Sequence, residues 1–341
     1  MATYSSWDRF QDALRGRPKD RVPVLAGTSL WAASNFPGVS LQEIASDPEL
    51  IAKVQLWARE ETGTDALYPS ADPLFIAEAF GCRVRFLETG PLADPLPIAV
   101  DRVEDVWKLL FPDPRKTGRL PVVLEACRIL NEETHGEIPL LGLFEGAFTS
   151  TCRIFETERV LRMTYKKPAV LNALLDRVNE FLISFGKALI ESGVNAFYVP
   201  EPTASSTMIS PRMFSEIALP RLQMLTSRLD GPVILHICGD TKPILPAMGE
   251  SGAKVLSLDQ CMDLSESRVM TSAKVLAGNV DPVKSLLMGD AETVRRDALH
   301  CLQSAGTERF LLMPGCAVPP KAPAENLRAM VETAAEFGLG S

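Results

Sequence analysis

Histidine is scarce in this chain, with three residues in 341. Basic charge is also in deficit: 35 Lys and Arg face 43 Asp and Glu, a formal net charge of -8. That balance argues against nonspecific nucleic-acid binding, which depends on cation–phosphate contacts. No basic run of the nuclear-localisation type occurs. No stretch approaches ~18 uninterrupted apolar residues, so no membrane span is expected. The opening MATYSSWDRFQDAL has neither the basic start nor the apolar core of a secretory signal. Seven cysteines, an odd number scattered along the chain, do not suggest a disulfide framework. They fit a reducing compartment, and a cytoplasmic location is the expectation.

What is present is ordinary globular material, 46% hydrophobic and 23% charged, enough for a large buried core. There is no short internal repeat and no low-complexity segment. Short apolar runs alternate with amphipathic stretches. The strand candidates are Val22 to Gly27, Ala66 to Ser70, Pro139 to Glu145, Ala196 to Pro200, Val233 to Cys238, Val255 to Leu258, Val275 to Asn279 and Arg309 to Met313. Runs that are apolar on both faces suit parallel strands covered on each side. The helical stretches carry end signals. Ser46 reads as an N-cap ahead of Pro48 and Glu49, and Gly193 stops the long helix that begins near Lys167. Eight such strands alternating with helices predict a (β/α)8 TIM barrel. One domain over 1–341 is expected, with an N-terminal helical extension and an insertion or hairpin around 71–138.

The chemistry concentrates in two segments, VILHICGDTKP and LLMPGCAVPPKAP. His236 and Cys238 stand two apart on one predicted strand, so their side chains leave the same face. They lie at the strand's C-terminal end, where barrels of this kind carry their active sites. Cys316 follows the last predicted strand at the same end. It is too far along the chain for a zinc-finger spacing, so barrel closure would have to bring the three together. Two thiolates and an imidazole suit Zn²⁺, and three protein ligands leave a fourth position open for chemistry. A His-x-Cys pair also arises by chance, and free cysteines are often buried. The pattern alone leaves both readings open.

The chain resembles the uroporphyrinogen decarboxylase superfamily, and within it the methylcobamide:thiol methyltransferases of the MtaA/CmuA type. The resemblance runs from DRVPV (Asp20 to Val24) through AEAFGC (Ala77 to Cys82), ISPRMFSEIALPRLQ, LHICG and AGNVDP to PGCAVPPKAPAENLRAM. It implies that His236, Cys238 and Cys316 bind zinc. It further implies that the enzyme moves a methyl group between a corrinoid (cobalamin) and a small-molecule acceptor or donor, with a thiol held as thiolate at the metal. No Asp-x-His-x-x-Gly stretch of corrinoid carriers occurs, so the corrinoid is expected on a partner protein. Uroporphyrinogen decarboxylase itself carries an Arg-Gln-Ala-Gly-Arg segment after its first strand, where this chain has Leu25 to Ser34 without arginine. That departure disfavours a decarboxylase, the alternative enzyme; a non-enzymatic corrinoid or tetrapyrrole binder is the third reading.

Other residues at strand ends are weighed for the site. Asp72 aligns roughly with the decarboxylase's pyrrole-binding acid, and thiol methyltransferases keep an acid there too. Glu145 and Glu201 are candidates for a fourth zinc ligand or a group supporting the ligands, against salt-bridged carboxylates. Tyr198 and Asn279 are hydrogen-bonding candidates for substrate, against a core tyrosine and a turn cap. The other cysteines, and His135 and His300, show no ligand pattern.

Overall fold

The computed structural model describes residues 4–87, 90–98, 100–271 and 274–339. Its centre is a sheet of parallel strands in sequence order: β3 (Leu141–Leu143), β4 (Ala196–Pro200), β5 (Val233–Ile237), β6 (Val255–Leu258), β7 (Val275–Val280) and β8 (Phe310–Pro314). Two further segments complete the ring. Val24 bridges Leu312 of β8, Asp65 N–H donates to the Val24 carbonyl at 2.8 Å, and Leu67 bridges Leu140 beside β3. The eight expected positions are therefore occupied around one (β/α)8 barrel. The predicted strands at Val22 to Gly27 and Ala66 to Ser70 shorten to single bridges. Pro23 and Pro69 lack the N–H that a ladder needs, so pairing cannot extend across them.

Alternation along the strands sorts side chains into two layers. Tyr198, Ile234, Val255, Val275, Leu311 and Met313 form a cluster inside the ring, while neighbours such as Phe197, Leu235, Leu256 and Leu312 pack outward against the helices. The N-terminal helix Ser6–Arg15 starts with a reciprocal cap between Ser5 and Asp8 and ends at Gly16, whose φ of 67° suits glycine. Its Phe10, Ala13 and Leu14 join the interior cluster. Trp7 N–H reaches the Glu137 carbonyl ahead of β3, which puts this helix at the strands' N-terminal end, as a plug.

The helices follow the expected pattern, with one correction. The cap of Pro48–Thr62 is Asp47, which accepts from the N–H groups of Glu49 and Leu50, while Ser46 closes the preceding helix Leu41–Ser46. Asp outcompetes Ser here because it stands directly before Pro48, at the position from which a side chain reaches N2 and N3. Within 71–138 lies an antiparallel hairpin, β1 (Arg83–Leu87) with β2 (Gly90–Asp94), then the helix Leu120–Thr134. Residues 88, 89 and 99, inside the expected excursion, lie outside the described residues. No helix among the described residues is long and apolar enough to cross a membrane.

Candidate metal centre at the barrel mouth

β5 places His236 inside the ring, because Ile234 two residues earlier already faces inward. The register sets His236 level with Pro200 of β4 and Ser257 of β6. Cys238 continues the same face one step past the strand, and Cys316 arrives past the end of β8. His236 Nε2 lies 3.2 Å from Cys238 Sγ, and Cys238 Sγ lies 3.4 Å from Cys316 Sγ. All three ligand atoms fall within 4.8 Å of one another, and His236 is only 2% exposed. The sulfurs are too far apart for a disulfide, whose bond is about 2.05 Å. Tetrahedral ligation at about 2.3 Å to sulfur and about 2.0 Å to nitrogen sets ligand atoms roughly 3.5 to 3.8 Å apart. The donor set and its spacing therefore fit one Zn²⁺.

The two thiols are shifted in opposite directions. Donation from Cys238, and then the nearby His236, draws the Cys316 thiol well below the usual range. The same hydrogen bond, with burial, pushes Cys238 up. Behind the ligands, His236 Nδ1 faces Ser257 Oγ at 3.1 Å and the Ser257 carbonyl at 3.3 Å. Such a partner fixes which ring nitrogen turns toward a metal. The Tyr198 ring stacks on His236 at 6.0 Å between centroids.

A family model described as Uroporphyrinogen decarboxylase (URO-D) matches residues 5–337. The chain belongs to the uroporphyrinogen decarboxylase family. Within it, the chain is similar to the methylcobamide:CoM methyltransferase MtaA of Methanosarcina barkeri, at 28% identity over 99% of both chains. It is also 29% identical to the uroporphyrinogen decarboxylase of Trichlorobacter lovleyi, over 95% of this chain and 97% of that one. The solved structure of a methyltransferase from Methanosarcina mazei superposes with a TM-score of 0.91 at 28% identity, covering 98% of this chain and 99% of the other.

The remaining candidates at this family's barrel mouth do not join the trio. Among the described residues, the cluster of metal-binding groups contains no carboxylate. Glu145 pairs with Arg153 at 3.0 Å. Glu201 is buried and accepts the N–H groups of Phe148 and Thr149 at 2.8 and 3.0 Å, at the start of the helix Ala147–Phe155. Burial pushes its carboxyl up to about 7, against the pull of those hydrogen bonds. Asp72 is buried and paired with Arg119 at 2.5 Å. Asn279 donates to the carbonyls of Asp259 and Met262 at 2.9 and 2.7 Å and accepts from Cys301, so its amide ties β7 to the loop after β6 and to the helix Ala291–Ala305.

Sequence reading missed Ser257 and Asp259. Ser257 is a lone hydroxyl in the apolar run VLSL, and a polar residue on an inward strand position is a signal worth following. Asp259, two residues on, accepts from Gly239 N–H at 2.8 Å and from Cys261 N–H at 3.0 Å, bracing the backbone beside Cys238.

Proposed function

We propose that this chain is a zinc-dependent methyltransferase moving a methyl group between a corrinoid and a small thiol or related substrate. The observation that carries this reading is the convergence of His236, Cys238 and Cys316 at the C-terminal mouth of the barrel. Those three side chains would hold the metal. Zinc bound there would supply Lewis acidity that lowers the pKa of a thiol entering its fourth position. The rest is alignment. Ser257 and Tyr198 hold the imidazole, Asp259 holds the Cys238 turn, and the barrel wall excludes water beneath them. In the thiol direction, the bound thiol would lose its proton to solvent and its sulfur would bond the methyl carbon as the carbon–cobalt bond breaks, the electron pair staying on cobalt so that Co(III) becomes Co(I). Fixing sulfur, carbon and cobalt in line contributes through proximity.

The similarity to methylcobamide:CoM methyltransferases over the whole chain supports the corrinoid as the second substrate. A carrier protein would present it over the mouth. Beside that mouth runs a cleft of about 880 Å³ between the 33–42 segment, the hairpin and the 319–321 loop. The decarboxylase relatives share the fold, but Leu25–Ser34 offers no cation for a porphyrinogen's carboxylates.

Elemental analysis of the wild type against Cys316→Ala tests the centre. About one zinc per chain is expected, falling sharply in the variant. Full retention in Cys316→Ala, with an unchanged visible spectrum after cobalt substitution, refutes it. Coproporphyrinogen formed from uroporphyrinogen at an enzymatic rate would establish the decarboxylase instead.

A further inference from the structure

Cys238 and Cys316 stand on loop residues just past β5 and β8, 78 positions apart in the chain. Their sulfurs nevertheless lie 3.4 Å from each other. Both residues are half-buried, so a small solute can reach them from the mouth. Their loops are held on either side. Directly after Cys238, Gly239 N–H donates to Asp259 at 2.8 Å. Directly before Cys316, Gly315 N–H donates to the Val280 carbonyl at 2.8 Å. A Cβ on Gly315 would lie 2.4 Å from the Gln260 nitrogen, so that loop has no slack toward β6. Main-chain contacts that involve no metal thus keep the two thiols side by side.

A disulfide puts its sulfurs at about 2.05 Å, so this pair must close by roughly 1.4 Å. Rotation about the two Cα–Cβ bonds moves the sulfurs while the braced backbone stays in place. Cys82, Cys127, Cys152 and Cys301 are buried and closed to such chemistry. Cys261, exposed on the loop after β6, is the alternative partner that a test must separate.

We propose that Cys238 and Cys316 form an oxidative modification site, in which a peroxide links them as a disulfide and the metal is released. One thiolate attacks a peroxide oxygen and the O–O bond breaks. That sulfur becomes a sulfenic acid, and the departing hydroxide takes a proton from solvent to leave as water. The neighbouring thiolate then bonds the oxidised sulfur, and its hydroxyl leaves with a second proton as a second water. Two electrons pass from the sulfurs to the peroxide. Two of the three metal ligands are consumed, and His236 alone does not make a zinc site. The adjacent thiolate traps the sulfenic acid before more peroxide drives it to sulfinic acid, which thiols do not reduce. A dithiol reverses the disulfide by exchange. The consequence for activity, a reversible stop to methyl transfer, rests on the function proposed above.

The test is anaerobic titration of the reduced, zinc-loaded protein with hydrogen peroxide, up to about one equivalent. A chromophoric chelator reads the zinc, and a thiol count with peptide mapping reads the cysteines. Zinc release should track the loss of about two thiols per chain, with Cys238 and Cys316 in one linked peptide. Dithiothreitol followed by zinc should restore both counts. A cross-link between residues 78 apart constrains the unfolded chain, so the oxidised protein should melt several degrees above the zinc-free reduced protein. Cys261→Ser should behave as the wild type does. Cys238→Ser, lacking the trapping thiol, should carry Cys316 on to sulfinic acid. A Cys238–Cys261 link, sulfinic acid in the wild type at one equivalent, or zinc kept after the two thiols are lost overturns the inference. So does an oxidised chain that melts no higher than the zinc-free reduced one. A reduced wild type that binds no zinc refutes the metal reading instead, and the linked peptide alone then decides the modification.

Discussion

Ser257 Oγ sits 3.1 Å from His236 Nδ1, on the side of the imidazole away from the cysteines. The contact exists because β5 and β6 pair in register, His236 opposite Ser257. Ser257→Ala removes the hydroxyl and little volume, so the barrel should fold as before. Loss of such an outer partner typically costs about 10- to 100-fold in metal affinity. A competition titration against a chromophoric chelator should show zinc affinity falling within that range. Unchanged affinity would mean that the Ser257 carbonyl alone, at 3.3 Å, orients the ring.

At the opposite end of the barrel, Asp65 is 1% exposed and pairs with Arg21 at 2.6 Å and Arg9 at 3.2 Å. It also accepts from Ser6 Oγ and Val24 N–H, both at 2.8 Å, so it joins the plug helix to the first barrel segment. Asp65→Ala would leave two arginines beside a buried space without their counter-ion. Breaking such a pair from one side costs about 3–5 kcal/mol. Urea unfolding should show a loss of stability of that size, seen as a lower midpoint at constant slope, while zinc content of the folded fraction stays at the wild-type level. A barrel keeps stability at the N-terminal face of its strands and chemistry at the other.

Gly146 carries a different kind of constraint. A Cβ there would lie 2.6 Å from Glu201 Cδ, so Gly146→Ala must displace a fully buried carboxylate from its N–H partners. Overpacking of this kind costs roughly 1–3 kcal/mol. Gly249, at the end of the helix Leu245–Gly249, is the control. Nothing lies within 4 Å of its would-be Cβ. Gly249→Ala should be neutral or stabilising by up to about 1 kcal/mol. Thermal unfolding of the two variants should therefore move in different directions or by plainly different amounts.

The barrel could be read from sequence because its strands are apolar on both faces and bounded by turn residues, from VILHIC to VLSL. The shortening at Val24 and Leu67 did leave a mark, since Pro23 and Pro69 offer no N–H to a ladder, but the apolar runs around them outweighed it. The trio was legible for a similar reason: a His and a Cys share a strand face, and strand ends meet at one rim. The fates of Glu145 and Asp72 were not legible. Their partners Arg153 and Arg119 come from helical and loop segments whose direction only the folded chain sets. Glu201 is held by main-chain N–H groups, which leave no mark on a sequence.

The last prediction concerns the reaction. Cobalamin supplied on the cognate corrinoid protein, with a small thiol present, should lose its methyl-Co(III) absorption and show Co(I) or its oxidised product. Chelating the zinc should stop this, and restoring zinc should bring it back. Cys238→Ala removes one sulfur from a group whose atoms lie within 4.8 Å and changes the charge at the site. Its rate should fall by about 100-fold or more, beyond the range that outer-sphere substitutions produce. Free methylcobalamin should react more slowly than the protein-bound form, because docking fixes the line of sulfur, carbon and cobalt. A chelated protein that still transfers methyl groups at the full rate would remove zinc from the reaction. An inert wild type, tried in both directions with thiols, tetrahydrofolate and methoxylated compounds, would remove methyl transfer altogether.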